Sequence, residues 1–197
     1  MPSEFDSFYT DLSDTSHRTA SVMFHIRFST NTSPKWHLAQ PYRVIAHNGE
    51  INTISGNRNW ALARMNNLSS KRFGNMRKYQ PLVNQSGSDS SSLDNMIEVL
   101  KEGGVNIGRA ARMLIPPSWQ NTDLMDSDEK AFHEYNSMHM EAWDGPALIC
   151  FQDKNFLSCF LDRNGLRPAK IEFFNDETVC ISSEFGSNND NLKTIKT

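Results

Sequence analysis

The last third of the chain constrains the fold most. Four short apolar runs follow one another there: Ala147 to Phe151, Phe156 to Leu161, Ala169 to Phe174 and Val179 to Ser182. Turn residues separate them, at Asp153-Lys154-Asn155, Asp162-Arg163-Asn164-Gly165 and Asn175-Asp176-Glu177. Strands at this spacing predict an antiparallel meander.

Two further strands are expected near the start. Ser21 to Phe28 alternates, with Val22, Phe24, Ile26 and Phe28 able to share one face. Tyr42 to His47 is the second. Between the strand regions the pattern turns helical. Asn57 to about Leu68 predicts a helix with Trp60, Leu62, Ala63 and Met65 as its apolar members. Leu93, Met96, Ile97 and Leu100 recur at helical spacing after a Ser-rich start, where Ser88 or Asp89 can cap. Gly103-Gly104 ends that helix. Asn106 to Leu114 is a shorter one, stopped by Pro116-Pro117. Asp126, Ser127 or Asp128 can cap a last helix that runs to about Glu141, with Phe132, Tyr135, Met138 and Met140 as its apolar positions. Lys71 to Lys78 is a basic, solvated face. Two strands, four helices and four strands make an α+β protein, not a βαβ alternation. One domain is expected, over residues 20–187. Residues 1–19 form a polar N-terminal arm or truncated edge, and 188–197 a tail.

Composition narrows the function. The 197 residues carry a net charge of −3, which gives no footing for nucleic acid or an anionic membrane surface. No apolar run approaches the ~20 residues needed to span a bilayer. The three cysteines, Cys150, Cys159 and Cys180, are widely spaced and include no C-x-x-C pair, so the chain alone predicts no metal site. Their pattern fits a reducing compartment.

One stretch carries chemistry: Ala46-His47-Asn48-Gly49-Glu50-Ile51-Asn52. It has two readings. Asn-Gly after a strand is a strong hairpin signal. An Asn side-chain amide beside a glycine N–H is also the minimum equipment of an oxyanion hole.

Two more stretches bear on the choice, Arg27-Phe28-Ser29-Thr30-Asn31-Thr32 and Gly87-Ser88-Asp89-Ser90. In this order the three resemble the glutaminase domain of glutamate synthase, a class II glutamine amidotransferase of the N-terminal-nucleophile hydrolase fold. Ala39-Gln40-Pro41-Tyr42-Arg43, Trp143-Asp144-Gly145-Pro146-Ala147, Asp162 to Pro168 and Ser182-Ser183-Glu184 extend the resemblance over about residues 20–187. It implies an αββα sandwich of antiparallel sheets and helices, incomplete at the N-terminus.

The resemblance also implies roles. Arg27 would hold the α-carboxylate of L-glutamine, since a planar guanidinium binds a carboxylate through two bonds. Thr30 and Asn31 would line the pocket beside it. Asp89, with Gly87, would bind the α-ammonium group. Asn48, through its side chain, and Gly49, through its N–H, would form the oxyanion hole. Read without the resemblance, Arg27 is a surface ion pair and Asp89 a helix cap. His25 and His47 flank the motifs and read as structural.

The family reaction needs an N-terminal cysteine, whose thiolate attacks the amide while its own α-amino group serves as base. This chain has no cysteine before Cys150. The expectation is therefore a glutaminase domain that lacks its nucleophile and is inactive alone. It would pair with a missing N-terminal segment and with synthase domains that carry FMN and an iron–sulfur cluster. There ammonia would be transferred reductively to 2-oxoglutarate. No cofactor is expected in this chain, and exposed sheet edges would support self-association. The alternative is a catalytically inactive glutamine-binding or assembly module.

Overall fold

The computed structural model describes residues 5–26, 33–184 and 194–196. A helical turn, α1 (Phe5–Phe8), opens the chain. Strand β1 (Ile45–Gly49) and helix α2 (Ile54–Arg64) follow, then a two-residue ladder of β2 (Ser69–Ser70) and β3 (Gly74–Asn75). Helices α3 (Asp89–Glu102), α4 (Ile107–Leu114) and α5 (Ser127–Ser137) fill the middle. Strands β4 (Ala147–Gln152), β5 (Leu157–Leu161), β6 (Lys170–Phe174), β7 (Val179–Ser182) and β8 (Thr194–Lys196) close it. No described helix is long and apolar enough to cross a membrane.

The expected mixture of helices and antiparallel strands is present, but the last strands do not make one meander. Strand β4 pairs with β5 and, on its other side, with the distant β1, in a sheet ordered β1-β4-β5. A second antiparallel sheet is ordered β7-β6-β8.

Register assigns the faces of the first sheet. Ile45 lies opposite Phe151, His47 opposite Ile149 and Gly49 opposite Ala147. Ile45, Ala147, Ile149 and Phe151 face the helices and form one core with Ala61 and Met65 near α2, Leu93, Met96 and Ile97 of α3, and Ala111 and Leu114 of α4. Fully burying one such aliphatic side chain is worth about 1.5–3 kcal/mol. Ala46 and Leu148 are buried too but lie outside that core, on the opposite face.

Helix boundaries follow caps. The Ser88 side chain accepts from Ser91 N at 3.1 Å, so Ser88 caps α3 and Asp89 is its first helical residue. Asn106 caps α4 and Asp126 caps α5. Helix α2 starts three residues earlier than expected, after Thr53. Its buried members are Asn57 and Ala61, while Trp60 and Leu62 are exposed. Asn57 is held by Thr53 Oγ1 at 2.7 Å and donates to Ala142 O at 3.0 Å, so a polar residue anchors the helix where an apolar stripe was expected. Helix α5 ends at Ser137, and it buries His133 and Asn136 while Tyr135 and Met138 stay exposed. His133 stacks on Trp119, with centroids 6.3 Å apart, which sets the inward face.

Residues 21–26 do not form the expected strand. The alternation is real, yet Val22, Phe24 and Ile26 are the exposed set. The facing edge of β1 is already bonded. The Gln40 side-chain amide donates to His47 O at 3.1 Å and accepts from His47 N at 2.7 Å, which takes the place of a neighbouring backbone. The 21–26 segment touches that edge through one side chain, His25, whose Nε2 lies 3.1 Å from His47 O. Phe28, the last expected member, lies outside the described residues.

Two chain crossings fix the end of β1. Glu50 N donates to Pro146 O at 3.0 Å and Asn52 N to Asp144 O at 2.7 Å. The backbones are so close that a Cβ on Gly145 would collide with the Glu50 carbonyl oxygen. Nearby, the Asp162 carboxylate accepts N–H bonds from Ala147 at 2.9 Å, Asn164 at 3.0 Å, Leu166 at 2.9 Å and Arg167 at 3.2 Å. Burial pushes its pKa up, but these backbone bonds outweigh that and hold it below the ordinary carboxylate value.

Two predictions follow from this geometry. Gly145→Ala lowers the thermal midpoint, at a cost of about 2–4 kcal/mol, since neither backbone can yield. Gly56→Ala, in open space on α2, stabilises by about 0.5–1 kcal/mol. Equal effects in a melting experiment would refute the crossing argument. Asp162→Asn costs about 1.5–3 kcal/mol at pH 7, because charge-assisted bonds are lost. Its depressed pKa gives stability that is complete above the unfolded value of about 3.9 and lost as pH falls through the folded value. Urea midpoints of wild type and variant should therefore converge on acidification below about pH 4.

Candidate active site

Helix α3 supplies one side of the site. Three of its residues bond to β1 or to the segment just after it. Asp94 Oδ1 accepts from Val44 N at 2.9 Å and Ile45 N at 3.1 Å. Ser90 Oγ lies 2.7 Å from His47 Nδ1. Asp89 Oδ2 accepts from Ile51 N at 2.7 Å. The two expected regions, Asn48-Gly49 and Gly87 to Ser90, thus meet although nearly forty positions separate them.

The hairpin reading of Asn48-Gly49 is corrected by the pairing. Both residues belong to β1, with Asn48 opposite Leu148 and Gly49 opposite Ala147. The glycine is required: its φ is 145°, and a Cβ would collide with the Pro146 carbonyl oxygen. Backbone direction follows from the ladder. Glu50 N bonds Pro146 O and Gln152 N bonds Val44 O, so alternate residues Ala46 and Asn48 face β4. The N–H groups of His47 and Gly49 therefore point to the outer edge of β1, where Gln40 and His25 sit.

The Asn48 amide is oriented from the second sheet's side. Its Nδ2 donates to Ser183 Oγ at 2.8 Å and to Glu184 Oε1 at 3.2 Å, just beyond β7. Gly87 lies in a tight polar turn. Its N–H donates to Asn84 Oδ1 at 2.8 Å, and its carbonyl accepts from Arg58 Nη2 at 2.7 Å. Arg58 also bonds Ser92 Oγ at 3.0 Å, which ties α2 to the start of α3. Arg27, Thr30 and Asn31 lie outside the described residues.

His47 is 2% exposed. Burial pushes its pKa down to about 4; nearby Asp89 and Glu50 pull it up, while His25 and Arg167 add to the fall. The ring is neutral at pH 7, which agrees with its reading as structural. Its Nε2 has no hydrogen-bond partner among the described residues. Among them, no group of three or more His, Cys, Asp or Glu is gathered that could hold a metal ion.

Sequence reasoning gave no role to Gln40, Arg58, Ser90 or the Asp94 carboxylate. It quoted Gln40, Ser183, Glu184 and Asp162 within matching stretches without saying what each touches. A polar residue inside an apolar helical stripe, such as Asp94 between Leu93 and Met96, was the available signal. What the arrangement offers is a backbone N–H and a side-chain amide on consecutive residues, with a carboxylate bonded three positions further on. The first pair can meet an oxyanion and the carboxylate a cation.

Comparison with known proteins places the chain in a family. The family model for class II glutamine amidotransferases matches residues 1–197. The glutamate synthase [NADPH] large chain of Bacillus subtilis is 45% identical over 186 residues, 94% of this chain and 12% of that protein. The glutamate synthase [NADH] of Schizosaccharomyces pombe is 42% identical over 94% of this chain and 9% of that protein. The ferredoxin-dependent glutamate synthase of Antithamnion sp. is 41% identical over 96% of this chain and 13% of that protein. The chain thus spans about a tenth of the length of the curated relatives it matches. It belongs to the class II glutamine amidotransferases.

Proposed function

We propose that this chain is the glutamine-hydrolysing domain of a glutamate synthase. The observation that carries the reading is the bond from Ile51 N to Asp89, which holds that carboxylate, the ammonium ligand in this reading, next to the segment that follows Asn48-Gly49. The identity of 41–45% to glutamate synthases along nearly the whole chain supports it.

In this reading L-glutamine is clamped at its amino-acid end. Arg27 takes the α-carboxylate, with Thr30 and Asn31 beside it. Asp89 and the Gly87 turn take the α-ammonium group. A cysteine thiolate from outside these residues attacks the side-chain amide carbon. The carbonyl oxygen becomes an oxyanion and is held by Asn48 Nδ2 and Gly49 N–H. The Asn48 amide donates both of its hydrogens to Ser183 Oγ and Glu184 Oε1, so one of these bonds is exchanged for the oxyanion as charge develops. Ammonia leaves as the tetrahedral intermediate collapses, and water then releases glutamate from the thioester.

The domain spans residues 20–187, with 1–19 as an arm and 188–197 as a tail. Its two antiparallel sheets and its helices belong to an αββα sandwich that a further N-terminal segment completes. The exposed apolar side chains Val22, Phe24, Leu157 and Leu161 support that completion. The released ammonia passes to synthase domains that carry FMN and an iron–sulfur cluster, where 2-oxoglutarate becomes glutamate.

In the full-length polypeptide, Asn48→Ala should lower kcat for ammonia release ~10²–10³-fold, since one oxyanion donor is lost. KM for glutamine should change little. Asp89→Asn should act mainly on KM. An Asn48→Ala enzyme with unchanged kcat would refute the oxyanion role.

The isolated 197-residue chain should release no ammonia, because Cys150, Cys159 and Cys180 are internal and have no α-amine. Turnover by that chain would refute the assignment of the nucleophile. Glutamine binding by calorimetry, with no turnover by the full-length polypeptide, would favour the alternative of an inactive glutamine-binding module.

A further inference from the structure

The proposed reaction gives no task to Cys150 or Cys159, yet they are neighbours. They lie directly opposite each other on β4 and β5. Their Sγ atoms are 3.5 Å apart. We propose that Cys150 and Cys159 are a thiol pair that closes reversibly into a cross-strand disulfide, a modification site on the sheet that carries Asn48 and Gly49.

The ladder says what kind of pair this is. Asp153 N donates to Phe156 O and Asp162 N to Ala147 O, each at 2.9 Å. The bonded pairs are therefore those of the odd-numbered β4 residues, and Cys150–Cys159 is a non-bonded pair. Cα atoms at such pairs are about 4.5 Å apart. Disulfides span roughly 4.4–6.8 Å between Cα atoms, so the bridge can form with little backbone movement but near the short limit. A bridge under that strain is easily reduced again, as a reversible device requires. Both thiols are half-buried, which leaves access for a small oxidant.

The same row of the sheet continues from Cys150 to Ala46 on β1. The adjacent row holds Leu161, Leu148 and Asn48. Closing the pair therefore draws β5 against β4 on the face that carries the Asn48 side chain.

The chemistry balances with a peroxide as oxidant. The Cys150 thiolate attacks one peroxide oxygen, the O–O bond breaks, hydroxide leaves and Cys150 becomes a sulfenic acid. The Cys159 sulfur then attacks Cys150 Sγ, the S–O bond breaks and water leaves. Two thiols lose two electrons and two protons, and one peroxide becomes two waters. The order suits the pair. The contact with Cys159 Sγ outweighs burial and holds the Cys150 thiol below its ordinary value. That same contact, with burial, pushes Cys159 up.

The test is mass mapping of the native full-length protein after hydrogen peroxide, with free thiols blocked before digestion. Trypsin cuts after Lys154, so the two cysteines fall in separate peptides, 131–154 and 155–163. The expected result is a single linked species of these two peptides, lost on treatment with dithiothreitol. It should form more slowly when the protein is unfolded in urea. Cys180 lies opposite Glu172 in the other sheet and should not join. In Cys159→Ser, Cys150 should instead be trapped as sulfenic acid by dimedone. Sulfinic acid at either cysteine of wild type without the linked species would overturn the proposal. So would oxidation confined to Cys180, or linkage that is faster in urea. The wild-type mapping decides the matter even if the variant does not fold.

Discussion

Asp94 is the residue on which the arrangement of helix and strand depends. It is a carboxylate in a buried setting, and its two backbone N–H partners at Val44 and Ile45 do not fully offset the cost of burial, which pushes its pKa up. The helix can carry that cost because the residues around it are apolar. Leu93, Met96 and Ile97 are essentially inaccessible to water, and each contributes about 1.5–3 kcal/mol. Removal of the carboxylate alone would leave two buried N–H groups unpaired. The bond is therefore more consequential when broken than when formed. It fixes the start of β1 against α3, and Ser90 and Asp89 then fasten the strand and the residues after it from the same helix.

The other end of β1 is set by close approach instead. Gly49 and Gly145 each stand where the opposite carbonyl leaves no room for a side chain. Asp162 then anchors the first residue of β4 and the loop up to Arg167 with one carboxylate. A helix grips β1 at its start, and glycine contacts and an Asx-type anchor hold its end. The two kinds of constraint converge on Asn48 and Gly49, which therefore sit on rigid backbone and not in a mobile turn.

How much of this was legible follows from the kind of signal each residue leaves. Caps are local, so Ser88 and Asp126 were each among the candidates read from the sequence, and the helices that start at these points and after Asn106 were found. Strand runs are local too, and β4 to β7 lie within a residue or two of where they were expected. Pairing is not local. Nothing near Ala147 announces that β4 lies beside β1 as well as β5, so one meander was expected where two sheets exist. Asn48-Gly49 looked like a turn because its partners, Leu148 and Ala147, are a hundred residues away. The helical phase failed where polar residues are the buried ones. Asn57, His133 and Asn136 each face inward because a specific partner waits there: the Ala142 carbonyl for Asn57, the Trp119 ring for His133 and the Phe132 carbonyl for Asn136. An apolar count cannot detect that. In the site, the residue types were legible and their supports were not, because the bonds of Gln40 to His47 and of Glu184 to Asn48 leave no pattern in the sequence.

The neutrality of His47 bears on how an oxyanion could be stabilised here. A protonated imidazolium beside Asn48 would offer a full charge, but the ring is too deeply buried to hold one at neutral pH. Acidic Asp89 and Glu50 do not reverse this, since His25 and Arg167 act with burial. In the proposed reading, stabilisation at this end of β1 comes from dipoles, the Gly49 N–H and the Asn48 amide. Dipoles work only if they are already aimed when charge develops. In that reading one reason covers two features that otherwise look unrelated: a glycine that no other residue can replace and a strand edge held by a glutamine side chain. Each removes a freedom that a full positive charge would have made harmless.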